Sequence, residues 1–151
     1  MYTIEEFDKL KTRVLKYIMY KKRTENEVKR KFAEEDSELL DDVIEHLKEI
    51  GYINDKSYVE RAISEFMNLN NLSLKELKYK LQSKGVDKSA MDEYIYNHED
   101  ELEEYEVNSA KNIILKKQNT MEEQAIIIQH LLKKGYKMDS IKQAINLINI
   151  E

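Results

Sequence analysis

The sequence has no cysteine, no proline and no tryptophan, and it holds only three glycines in 151 residues. Without cysteine there is no disulfide framework, no thiolate metal site and no cysteine nucleophile. Without proline, and with glycine so sparse, little interrupts helices in a chain rich in Lys, Glu, Leu and Ile. Long apolar runs are missing too: Ala125-Ile126-Ile127-Ile128 stops at Gln129, far short of a membrane span. The opening Met1-Tyr2-Thr3-Ile4-Glu5-Glu6 has the pattern of neither a signal nor a transit peptide. The expectation is a cytoplasmic protein without membrane contact.

What is present is 41% hydrophobic and 36% charged, with a mean hydropathy of -0.72. That is too apolar for a disordered chain and unusually charged for a compact globule. Much charged surface for little core suits an elongated molecule. The net charge of -5 argues against a protein whose sole task is coating nucleic acid. The charge is unevenly spread: Lys11 to Lys31 is basic, whereas Glu99, Asp100, Glu101, Glu103, Glu104 and Glu106 form an acidic run. The separation either orients the protein on a charged partner or marks solvated helix faces, and charge alone favours the second.

Catalytic chemistry finds no foothold. His46, His98 and His130 lie about one per third of the chain, with no ligand spacing on a shared helix, so a boundary or surface role fits better than a metal site. There is no Gly-rich phosphate loop, Walker lysine or nucleophile elbow. The expectation is a non-enzyme with no catalytic residue, no metal and no cofactor. Ten tyrosines invite base stacking, but packing explains Tyr17, Tyr58 and Tyr94 beside apolar positions, and Tyr52 and Tyr136 after glycines. Tyr20, followed by Lys21-Lys22-Arg23, stands open between stacking and a solvated surface aromatic.

Helix punctuation organises the rest. Thr24-Glu25-Asn26-Glu27, Ser73-Leu74-Lys75-Glu76 and Thr120-Met121-Glu122-Glu123 each read as a capping box, 49 and then 47 residues apart, and Thr3-Ile4-Glu5-Glu6 suits the opening of the first helix. Gly51, Gly85 and Gly135 each follow a leucine by four positions (Leu47, Leu81, Leu131) and precede Tyr52, Val86 or Tyr136, the pattern of a Schellman ending. Apolar spacing predicts helices at 4–22, 24–34, 37–50, 55–70, 73–84, 88–98, 100–118, 120–134 and 138–149, with continuity through 88–118 left open. Aligned core positions are Val28 and Phe32, Leu77 and Leu81, Ile127 and Leu131 in the middle helices, and Val107, Ala110, Ile114 and Leu115 in the seventh. A period near fifty residues gives an all-α, elongated, curved array of three tandem three-helix repeats, at 1–51, 52–98 and 99–151.

These segments carry a family resemblance. Tyr20-Lys21-Lys22-Arg23-Thr24-Glu25-Asn26-Glu27-Val28-Lys29-Arg30-Lys31-Phe32 resembles the early motif of the RecX family, a basic turn before a capped helix. Leu47 to Asp55, followed by Tyr58-Val59, is similar to its Ile-Gly-Tyr junction. Leu74 to Val86 resembles its second-repeat helix, and Leu131 to Tyr136, with Ile141 and Ala144, its closing motif. The resemblance implies a regulator of the RecA recombinase in homologous recombination, DNA repair and the SOS response. Such a protein lodges, as a monomer, in the groove of the RecA filament on single-stranded DNA, restraining ATP turnover, strand exchange and cleavage of the SOS repressor. Positive contacts then fall on Lys21, Lys22, Arg23, Lys29 and Arg30 with Tyr20 beside them, and on Lys75, Lys78, Lys84, Lys133 and Lys134 in later repeats, with weak direct DNA contact. Two other readings stay open: a direct single-stranded nucleic-acid binder, and a helical interaction module with an unrelated partner.

Overall fold

The computed structural model describes residues 1–150. Among them the chain forms nine α-helices and no strand: α1 (Ile4–Tyr20), α2 (Glu25–Lys31), α3 (Ser37–Glu49), α4 (Asp55–Leu69), α5 (Leu74–Ser83), α6 (Lys88–Asn97), α7 (Glu99–Asn119), α8 (Gln124–Lys134) and α9 (Met138–Ile150). Helical periodicity decides what each buries. In α1 the buried residues are Leu10, Val14 and Ile18, one per turn, and they meet Val28 of α2 and Leu40, Val43, Ile44 and Leu47 of α3. A second cluster joins Val59 and Ile63 of α4 to Leu77 and Leu81 of α5 and Met91 of α6; a third joins Ala110 and Ile114 of α7 to Ile127, Leu131, Ile141 and Ala144. Each fully buried Leu or Ile contributes about 2 kcal/mol, so a triplet of helices rests on a modest core.

The expected core is largely present, but it is incomplete: Leu39, Ile53, Leu102 and Tyr105 are buried although the spacing does not mark them. Leu115 is exposed, because α7 turns Ile113 and Ile114 inward instead. Ile63, which the pattern passed over, is fully buried. α6 and α7 are separate helices: His98, at φ -130°, breaks the run, its Nδ1 2.8 Å from the Tyr94 carbonyl and its ring stacked on Tyr94 at 3.9 Å.

The helix ends follow the sequence signals at most positions. Thr24 and Ser73 each form a complete capping box, with Glu27 and Glu76 reaching back to the cap amides. All three glycine endings carry both Schellman bonds: Gly51 N–H to Lys48 and Tyr52 N–H to Leu47, Gly85 to Gln82 and Val86 to Leu81, Gly135 to Leu132 and Tyr136 to Leu131. Thr120 does not cap α8. It ends α7, donating its hydroxyl to the Lys117 carbonyl at 2.7 Å, Met121 takes a left-handed φ of 62°, and α8 starts only after Glu123, which makes no side-chain cap.

One joint between helical triplets occurs twice. The Thr24 hydroxyl donates to the Lys84 carbonyl at the end of α5 (2.9 Å), and the Ser73 hydroxyl donates to the Lys134 carbonyl at the end of α8 (2.7 Å). The next amide is taken by a carboxylate from the following triplet: Glu25 N–H by Asp55 (3.0 Å), Leu74 N–H by Glu106 (3.2 Å). The glycine closing each partner helix lies close against it, Gly85 on Asn26 and Arg30, Gly135 on Lys75. In both joints the positive N-terminus of one middle helix faces the negative C-terminus of the next, an arrangement favoured by the helix dipoles.

Candidate partner-binding surface

The basic turn Lys21-Lys22-Arg23 exists because α1 stops at Tyr20 and α2 is capped at Thr24. Lys21, at φ -160° and ψ 138°, is the extended residue between them. The turn stands over α4 and the α3–α4 link. Between the two lies an open groove of about 400 Å³, walled by Tyr20, Lys21 and Lys22 on one side and by Tyr52, Tyr58 and Arg61 on the other. It continues along α4 past Ala62 to Glu65. Tyr20 is 87% exposed and Tyr52 45% exposed. Among the described residues neither Lys21 nor Lys22 is ion-paired, while Arg61 pairs loosely with Glu65 at 3.4 Å on the open surface. Burial, with Glu27 nearby, pushes the half-buried Tyr58 phenol up, so at neutral pH it is a donor.

Arg23 differs from its neighbours. Its guanidinium lies 4.2 Å over the Tyr17 ring and 3.8 Å from Glu27, and only 17% of the side chain is exposed. It braces the turn against α1 and α2. The remaining sequence-derived candidates do not gather in the groove. Lys29 pairs with Glu25 on α2 (3.9 Å), and the Arg30 guanidinium lies against Gly85 at the first joint. Lys75 packs its stem on Gly135, and Lys134 reaches Glu76 (3.9 Å) and the Asn71 carbonyl (3.3 Å), both at the second joint. Lys84 is exposed at the first joint, where its carbonyl is bonded, and Lys133 is exposed on α8. Lys78 edges a separate groove of about 260 Å³ over Leu77, Ile95 and Leu102, with Lys137 opposite and Glu99 and Glu103 beside it.

The sequence assigned Tyr52 and Tyr58 to packing and passed over Arg61. The groove contains all three. Tyr52 follows a Schellman glycine, the position where an apolar contact with the helix is usual, but Ile53 takes the buried place (3% exposed) and leaves Tyr52 outside. The histidines are dispersed: His46 packs edge-on to Phe7, His98 stacks on Tyr94, and burial with Lys117 and Lys134 lowers the His130 imidazole. No helix of the described residues is long and apolar enough to cross a membrane.

Comparisons with known proteins bear on this geometry. No family model matches the chain. The regulatory protein RecX of Finegoldia magna is 33% identical over 136 residues, covering 85% of this chain and 66% of that protein. The one from Staphylococcus haemolyticus is 30% identical and covers 91% and 53%. The one from Clostridium beijerinckii is 30% identical and covers 95% and 70%. The chain thus spans between half and about two thirds of the length of several curated relatives. The crystal structure of RecX from Lactobacillus salivarius superposes with a TM-score of 0.80 at 24% identity, over 99% of this chain and 100% of that one; this likeness is one of fold. From relatives that are named regulatory proteins and match it nearly end to end, the chain belongs to the RecX family.

Proposed function

We propose that this chain is a non-catalytic regulator that binds the RecA filament on single-stranded DNA and restrains its ATP turnover, strand exchange and promotion of SOS repressor cleavage. Family membership supports the regulatory part. The observation that carries the contact assignment is the groove in which Lys21 and Lys22, free of ion pairs among the described residues, stand with Tyr20 across from Tyr52 and Arg61. A cation and aromatic surface of this kind attracts an acidic, polymeric partner and gives salt-sensitive association. Lys29, Arg30, Lys75, Lys78, Lys84, Lys133 and Lys134 then supply weaker contacts further along the molecule.

The same reading divides the chain into three repeats, 1–51, 52–98 and 99–151, stacked as a curved rod. Three separate apolar clusters and the twice-used joint support that division. A rod of repeats can touch several successive protomers of a filament, so that weak contacts add through effective concentration.

The test measures RecA's DNA-dependent ATPase and strand exchange at substoichiometric amounts of this protein, alongside its affinity for bare single-stranded DNA. Inhibition with weak binding to bare DNA is the expected result. Tight binding to bare DNA with no effect on preformed filaments would replace the proposal with direct nucleic-acid binding.

A further inference from the structure

The two joints share one plan but differ in how they are sealed. Between α4–α6 and α7–α9, the helix α7 runs through both apolar clusters. Leu102 and Tyr105 pack into the second, while Ala110 and Ile114 pack into the third. The polar groups there are closed off from water. Glu106, 1% exposed, accepts from Leu74 N–H at 3.2 Å and from the Ser140 hydroxyl at 2.8 Å. Tyr105 donates to the Leu72 carbonyl at 2.8 Å, and the Ser109 hydroxyl bridges that carbonyl and the Tyr136 hydroxyl, at 3.1 and 2.5 Å. Rotating one triplet against the other would bend a 21-residue helix in its middle and leave a buried carboxylate without donors.

The first joint has no such helix. Every buried residue of α4 belongs to the second cluster, and the link before it sends only Ile53 into the first. What holds this joint is polar: the buried Thr24 hydroxyl bonds the Lys84 carbonyl as Ser73 bonds Lys134 in the other. No buried carboxylate or tyrosine of the described residues backs it, however, and the contacts around Asp55 reach the surface. The half-buried Asp55 carboxylate accepts from Glu25 N–H (3.0 Å) and Asp87 N–H (2.9 Å) beside an open cavity of about 400 Å³ edged by Lys48 and Asn54. Water can take over such hydrogen bonds at small net cost.

We infer that the first joint is the hinge of the molecule: α4–α9 move as one body against α1–α3, and the groove between Lys21 and Arg61 changes width with the joint. The groove straddles the boundary, with the end of α1 and the basic turn on one body and Tyr58 and Arg61 on the other. A partner seated there touches both bodies and selects one joint angle from those the free protein visits. That consequence rests on the function proposed above, whereas the hinge itself is a property of the free protein and is tested without any partner.

The absence of cysteine allows paired labels to be placed cleanly. Spin labels at K16C and E60C stand on α1 and α4, the helices flanking the groove; labels at E60C and Q129C stand on either side of the second joint. Pulsed dipolar spectroscopy is expected to give a distance distribution roughly twofold wider for the first pair than for the second. D55A should widen the first further and leave the second unchanged, and D55N, which keeps one acceptor oxygen, should act in the same direction with less effect. Equal widths for the two pairs, or a second pair that widens with the Asp55 variants, would overturn the hinge.

Discussion

Gly51 and Gly135 end their helices with the same two hydrogen bonds, yet a side chain would meet different surroundings at each. At Gly51, φ is +85° and nothing lies within 4 Å of an added Cβ, so G51A bears only the left-handed backbone strain of about 1 kcal/mol. At Gly135, φ is +99° and the added atom would stand 2.9 Å from the Lys75 Cβ, so strain and a clash at the second joint add together. G135A should therefore lower the urea midpoint clearly more than G51A. Equal losses would mean that the second joint yields to an extra methyl. Tyr136 supplies a second test at this scale. Burial pushes its phenol up, and an acid whose pKa rises on folding contributes stability that is complete below its unfolded value of about 10 and is lost as pH climbs through the folded value. Y136F should be less stable than the parent at pH 7 by about 1 kcal/mol, the worth of its hydrogen bond, and the gap should shrink above pH 10. A gap independent of pH would show that the phenol is not held protonated by the fold.

Among the helices, the N-caps separate what was readable from what was not. Thr24 and Ser73 are capping boxes in both sequence and structure, because each is followed at once by a helix whose first turn carries the Glu. Thr120 has the same letters and a different fate, since α7 extends to Asn119 and takes that hydroxyl for its own last turn. A local motif cannot reveal where the preceding helix stops. T24A and S73A should each cost about 1 kcal/mol or more, since each hydroxyl both caps its helix and donates across a joint. T120A should stay within about 0.5 kcal/mol of the parent in thermal or chemical unfolding. A loss at Thr120 equal to that at Ser73 would restore the capping role. The same limit explains the candidate surface. Tyr20, Lys21 and Lys22 were legible because they adjoin in sequence, whereas Tyr52 and Arg61 reach the groove through tertiary packing of α4 beneath the turn, which no periodicity encodes. His98, likewise, ends α6 by stacking on Tyr94, a break that no glycine or proline announces.

Over the whole molecule, the described residues form nine helices around three apolar clusters, with a basic turn between α1 and α2 and an acidic start to α7. Such a molecule has surface in excess of core, and its proposed action is to lie along a polymer. Arg23 is best left intact in any test of charge, because its place over Tyr17 and beside Glu27 makes its loss a structural change. Lys21 and Lys22 are exposed and can be reversed without disturbing a buried group. The most direct measurement is the affinity of the parent and of K21E/K22E for preformed RecA filaments on single-stranded DNA, taken at several salt concentrations. The parent should bind with an affinity that falls as salt rises, and the double variant should bind roughly tenfold more weakly with a flatter salt dependence and an unchanged melting temperature. A parent that ignores the filament, or a variant that binds it as tightly as the parent at every salt concentration, would contradict the assignment of this groove to the filament.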